Sequence, residues 1–178
     1  MRLHPVWTLA ALVAVVVSCR GPKAPSAAAG AFRPLGIGAR VPTYGAVTLR
    51  GDTARIGPGE PVTVLNVWAT WCTSCREEMR TLESLYDSFA TRGVRVVAVS
   101  VDRGDDARVR RYAEREGLRF IVAHDPDELV QERFQVVGVP TTLVLDSSGT
   151  LRWQHVGNIT DVAGEARAAV ARLIDGAK

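Results

Sequence analysis

Residues 62–67 are an almost unbroken run of β-forming apolar side chains, and a few positions later the chain reads Trp71-Cys72-Thr73-Ser74-Cys75 before a helical pattern takes over. Met79, Leu82, Leu85, Tyr86 and Phe89 recur at three- and four-residue intervals. That spacing puts them on one stripe of a helix from about Cys72 to Arg92, stopped by Gly93. A buried strand that hands over to a helix at Cys72 leaves the fold around it little freedom. The first N–H groups of a helix have no partner within it and its dipole is positive there, so a sulfur at that point is favoured as thiolate. Cys75, one turn further in, is expected to be shielded. Two thiols so spaced can close into a disulfide, Cys72 attacking and Cys75 resolving the mixed disulfide that Cys72 forms.

Two other roles compete for the pair. A structural zinc site needs about four nitrogen or sulfur ligands, and the other candidates are Cys19, His4, His124 and His155, which are scattered singly. No metal is therefore expected. A disulfide closing so small a loop constrains the unfolded chain weakly, which argues against a stapling role.

The first residues read as an address. Arg2 precedes an apolar segment over 6–17 in which Thr8 is the polar member, too short for a bilayer, where about 20 residues are needed, but suited to a signal-peptide core. Val16-Val17-Ser18-Cys19 resembles the bacterial lipobox, whose cysteine is lipidated and becomes the new N-terminus. An uncleaved anchor and free secretion are the alternatives. All three place the chain outside the cytoplasm, where disulfides persist. Residues 1–18 are thus expected to be a lipoprotein signal peptide. Residues 19–37, rich in Pro, Ala, Ser and Gly, are expected to be a flexible tether, and 38–178 the size of one folded domain. With a net charge of +3 and basic residues spread along the chain without forming a stripe, no nucleic-acid partner is expected.

Short apolar runs broken by Gly45 and Arg50-Gly51-Asp52 predict a hairpin over 41–56. Further strands are expected at 62–67, 94–101, 120–123, 141–145 and 150–156. The last two are joined by Asp146-Ser147-Ser148-Gly149, which is turn chemistry. Helices are expected at 105–116, ending at Gly117, and at 161–174. A third helix is expected to run through Phe134, with Asp125 as N-cap and Pro126 at its first position. This alternation predicts an α/β fold with a mixed sheet covered on both faces.

From about Gly38 onward the chain resembles the thioredoxin superfamily, and within it the extracytoplasmic TlpA/ResA-like thiol–disulfide oxidoreductases. The resemblance is carried by VLNVWATWCTSCREEM, VRVVAVSVD and GVPTTLVLDSSGTL. It implies a three-layer thioredoxin-like fold with an N-terminal β-hairpin extension. It also implies a cis Val139-Pro140 bond facing the dithiol, with the backbone of Val139 free to pair with an extended substrate segment. Thr73-Ser74 and Arg80 depart from the family pattern, which has a proline at the second of these positions between the cysteines and often another in place of Arg80.

Thiol exchange needs a proton acceptor for Cys75. Cytosolic thioredoxins use a buried aspartate at the position that Asn66 occupies here, and Asn66 does not titrate. The TlpA/ResA resemblance instead implies Glu78, three residues after Cys75 and on the same helical face. Burial beside two thiols is expected to raise its pKa toward neutrality. Glu77 is expected to be solvated. Trp71 is expected at the exposed rim, among the substrate-binding residues with Val139 and Pro140, whereas for Trp68 the rim and the core are equally open.

The resemblance implies reduction of substrate disulfides without a cofactor, for example the haem-binding cysteines of apocytochrome c, with electrons from a membrane thiol carrier. A peroxiredoxin-like peroxidase is an alternative, although Trp68-Ala69-Thr70-Trp71 lacks the Pro-x-x-x-Thr-x-x-Cys pattern that such enzymes place around their cysteine. A copper-handling binder using two thiolates is another.

Overall fold

The computed structural model describes residues 33–176; the leader, Cys19 and the first part of the expected tether lie outside the described residues. Seven strands form one mixed sheet in the order β2-β1-β5-β4-β3-β6-β7. Its centre is parallel. β3 (Thr63–Trp68) lies beside β4 (Arg95–Ser100), and β4 beside β5 (Ile121–His124). β6 (Thr141–Leu145) runs antiparallel to β3, and β7 (Leu151–Val156) antiparallel to β6. At the other edge stands the hairpin of β1 (Tyr44–Thr48) and β2 (Thr53–Ile56), with Val47 and Thr48 of β1 paired antiparallel to β5.

Every residue of β3 and β6 is buried. A strand buried on both of its alternating faces requires cover above and below the sheet, and helices supply it: this is the three-layer thioredoxin-like fold. α1 (Thr73–Phe89) buries Cys75, Glu78, Met79, Leu82, Leu85 and Phe89, with Tyr86 partly covered, so its apolar stripe follows the expected spacing. Leu82 and Leu85 are wholly buried, each contributing roughly 1.5–3 kcal/mol of apolar burial. The helix then tightens into a 3-10 turn over Ala90–Arg92 and stops at Gly93, whose φ of 79° is a left-handed cap. α2 (Ala107–Glu116) buries Val109, Tyr112 and Ala113, and α4 (Ala163–Asp175) buries Ala166, Ala169 and Val170.

One helix starts later than expected. α3 spans Leu129–Phe134, and Pro126 lies before it rather than at its first position. Asp125 and Glu128 close a turn, the Glu128 N–H donating to the Asp125 carbonyl, and Glu128 adopts a left-handed conformation (φ 58°) that interrupts any helix begun at Asp125. The Asp125 carboxylate still serves the helix start, accepting from the Val130 N–H at 2.6 Å.

The β6–β7 turn is fixed by Asp146, whose carboxylate accepts from the N–H groups of Ser148 and Thr150, both at 2.9 Å. Gly149 is required there: its φ is 74°, and a Cβ would stand 2.6 Å from Pro58 Cδ. The chain entering the domain is tied to β7, Gln154 donating to the Leu35 carbonyl at 2.7 Å and Gly38 N–H to that of Leu151 at 2.8 Å. Among the described residues no helix is long and apolar enough to cross a membrane.

Candidate active site

β3 ends at Trp68, and Cys72 is the N-cap of α1. Cys72 and Cys75 are joined in a disulfide with their Cα atoms 5.2 Å apart. The Cys75 N–H donates to Cys72 Sγ at 3.2 Å, so the sulfur occupies the place a capping oxygen would take and faces the positive end of the helix. Cys72 is 8% exposed and Cys75 is wholly buried. An incoming group therefore meets Cys72 first. Beside it Trp71 is 61% exposed, whereas Trp68 is fully buried with its ring 5.2 Å from that of Tyr112. Trp71 thus stands at the rim as expected, and the structure places Trp68, which the sequence left open, in the core.

Across the site the Val139-Pro140 bond is cis, and the Val139 carbonyl oxygen lies 3.9 Å from Cys72 Sγ. The Pro140 carbonyl is taken by the Gly157 N–H at 2.8 Å, which fixes this segment to the end of β7.

Behind the dithiol, Glu78 is wholly buried on α1. Its Oε1 accepts from Asn66 Nδ2 at 2.7 Å and its Oε2 from the Ile159 N–H at 2.9 Å. Burial pushes its pKa up to about 7, and these two donors hold it from rising further. Asn66 also donates to Thr142 Oγ1 at 3.0 Å, while its own Oδ1 is buried with no partner among the described residues. The non-titrating Asn66 thus reaches the titrating Glu78 directly. Glu77 is exposed, and its carboxylate accepts from Asn158 Nδ2 at 3.5 Å.

A supporting acid escaped the sequence reading. Asp102, 2% exposed just beyond β4, accepts from the Thr70 N–H at 2.8 Å, from the Thr70 hydroxyl and from Ser100 Oγ at 2.7 Å. It holds the turn that leads into Trp71 and Cys72, with Arg76 Nη1 donating to the Thr70 carbonyl from the other side at 2.8 Å. The available signal was an acid placed directly after an apolar strand of a parallel sheet, at the strand ends where sites gather. Asp102→Ala leaves these donors without an acceptor and is expected to lose about 2–4 kcal/mol. Urea denaturation measures that loss, and Asp102→Asn, which keeps one acceptor, should lose less.

Basic side chains do form a stripe: Arg108, Arg111 and Arg115 follow one another along α2 and, with Arg76, line a cavity bounded by Thr70 and Tyr112. The three α2 positions are three and four residues apart, a helical spacing that reading the charges in linear order does not reveal.

A family model described as the AhpC/TSA family matches residues 37–154. The thiol-disulfide oxidoreductase ResA of Geobacillus kaustophilus is 32% identical over 126 residues, covering 70% of this chain and 71% of the relative. The thioredoxin-like protein YneN of Bacillus subtilis is 33% identical over 127 residues, covering 69% and 73%. Among solved structures, a candidate thiol:disulfide interchange protein DsbE from Chlorobium tepidum superposes with a TM-score of 0.71 at 23% identity, covering 79% of this chain and 99% of that one. This last likeness is one of fold.

Proposed function

This chain belongs to the AhpC/TSA family and is a thiol–disulfide oxidoreductase, and from that premise we propose that it reduces protein disulfides outside the cytoplasm, Cys72 attacking and Cys75 resolving. The observation that carries this reading is the asymmetry of the pair. Cys72 sits at the helix start with an N–H aimed at its sulfur, beside an exposed tryptophan and an open carbonyl, while Cys75 is sealed behind it.

In the reduced protein the Cys72 thiolate attacks one sulfur of a substrate disulfide, and the other substrate sulfur leaves as thiolate. Cys75 then gives up its proton and attacks Cys72 Sγ. The second substrate thiolate departs and the Cys72–Cys75 disulfide is left, so two electrons have passed from protein to substrate. Glu78 is the acceptor for the Cys75 proton, being buried on the same helical face with a pKa near neutrality. Val139 offers its backbone, and Trp71 its ring, to an extended substrate segment.

The leader supports a lipid anchor at Cys19, with residues 19–37 as a tether whose end at Leu35 docks on β7, and 38–178 as the working domain. A membrane thiol carrier would return the two electrons, and cysteines of apocytochrome c are fitting substrates. The test is the reduction potential of the full chain, equilibrated against glutathione. A reductant lies near −270 mV, the value of cytoplasmic thioredoxin, and a potential near −120 mV would make the protein an oxidant instead.

A further inference from the structure

The arginine-lined cavity has a volume of about 300 Å³ and is bounded by Thr70, Arg76, Arg108, Arg111, Tyr112 and Arg115. Elsewhere half of the described arginines meet a carboxylate, Arg119 at Glu83 and Asp87, Arg95 and Arg55 at Glu60, Arg92 at Asp175, Arg103 at Glu128, Arg110 at Asp106 and Arg152 at Asp146, and what sets the cavity apart is that four guanidinium groups gather around one space. In the cavity Arg115 meets Glu116 at 3.0 Å, and Arg76 is engaged by the Thr70 carbonyl and, at 3.3 Å, by Thr73 Oγ1. Arg108 and Arg111 have no carboxylate within salt-bridge distance among the described residues. Gathering like charges against so little acid costs the fold self-repulsion, which a bound anion would relieve.

The place of the cavity says which anion. Thr70 forms part of its wall, and the next two residues are exposed Trp71 and the reacting Cys72. A group held there is therefore held beside whatever is bound at the dithiol. Guanidinium groups match planar carboxylates bidentately, and an extended peptide covers about 7 Å in two residues. We propose that the Arg108–Arg111–Arg115 stripe with Arg76 is a specificity site for the protein substrate, taking Asp or Glu side chains about two to four residues from the cysteine that Cys72 attacks. This rests on the oxidoreductase reading and adds the class of substrate: disulfides flanked by acidic residues.

The test uses the reduced full chain and two disulfide peptides that differ only in carrying a Glu pair or a Gln pair at that spacing. At about 20 mM salt, kcat/KM is expected to favour the Glu peptide by roughly five- to tenfold, with the preference shrinking toward one near 500 mM. Arg108→Gln/Arg111→Gln should bring the ratio close to one. Arg40→Gln/Arg172→Gln, which removes the same charge from other exposed positions, should leave the ratio as it was. Should the first pair fail to fold, each of Arg108→Gln and Arg111→Gln alone is expected to reduce the ratio about two- to threefold.

Equal rates on the two peptides in the wild-type protein overturn the site while leaving the oxidoreductase reading intact. So does a preference that survives in Arg108→Gln/Arg111→Gln. If neither peptide is reduced, it is the redox reading that fails, and polarisation of a dye-labelled, cysteine-free Glu peptide then decides the cavity alone. Binding that is lost with the two arginines supports the site, and no binding at low salt overturns it.

Discussion

Cys75→Ser is expected to arrest the full chain as a mixed disulfide on Cys72, while Cys72→Ser forms no adduct and lowers disulfide reduction by about three orders of magnitude or more. Access and charge decide which sulfur attacks. Cys72 is the sulfur with an exposed fraction and with the Cys75 N–H pointed at it, so it is both reachable and favoured as thiolate. Cys75 has neither access nor a donor aimed at it from the helix start, so it can react only with a sulfur already bound to its neighbour. Mass spectrometry of the trapped species, digested after blocking free thiols, reads the attachment point. An adduct on Cys75 in Cys72→Ser, or equal trapping by the two variants, would reverse the assignment of attacking and resolving sulfurs.

How far the sequence carried this site depends on the range of the interactions involved. The strand, the dithiol and the helix are contiguous, and the apolar stripe from Met79 to Phe89 repeats the helical period, so their joint placement was legible locally. Pro140 and Glu78 were reached through motif resemblance, because what brings each to the dithiol is tertiary. Glu78 meets Asn66 across 12 positions and Ile159 across 81. The position of Asp102 after an apolar strand was a signal, but its partners were illegible for a related reason. Thr70 and Asp102 are 32 residues apart and meet because β3 and β4 are parallel neighbours, with Trp68 opposite Ser100. The late start of α3 shows local chemistry overruled: Asp125 does cap a helix, but from five residues upstream, since left-handed Glu128 lets the turn fold back first. The arginine stripe was missed because charges were read along the chain rather than around α2.

Glu78→Gln should change both the pH dependence of stability and the rate at which Cys75 resolves a mixed disulfide. In the folded protein burial pushes the Glu78 pKa from an ordinary 4.5 up to about 7. Between those two values the unfolded chain releases this proton while the folded chain keeps it. The unfolded state then binds fewer protons, so stability falls as pH rises. The contribution is fully present below about pH 4.5 and lost above about pH 7, a span on the order of 3 kcal/mol. Denaturation midpoints between these limits should decline in the wild type, whereas Glu78→Gln should remove that part of the slope. Parallel curves would mean that Glu78 ionises like an exposed carboxylate.

The same proton governs the chemistry. Only ionised Glu78 can accept from the Cys75 thiol, so resolution should accelerate as pH rises through about 7, and Glu78→Gln should slow it by about a hundredfold and erase that limb. Asn66 makes both forms of the acid tolerable: its Nδ2 donates to the carboxylate, and its unpartnered Oδ1 can accept from the protonated group if the amide turns over. Asn66→Ala removes a donor that favours the ionised form, so the rate limb in that variant should move to higher pH. A limb that stays in place in Asn66→Ala but vanishes in Glu78→Gln would separate the proton acceptor from the residue that positions it.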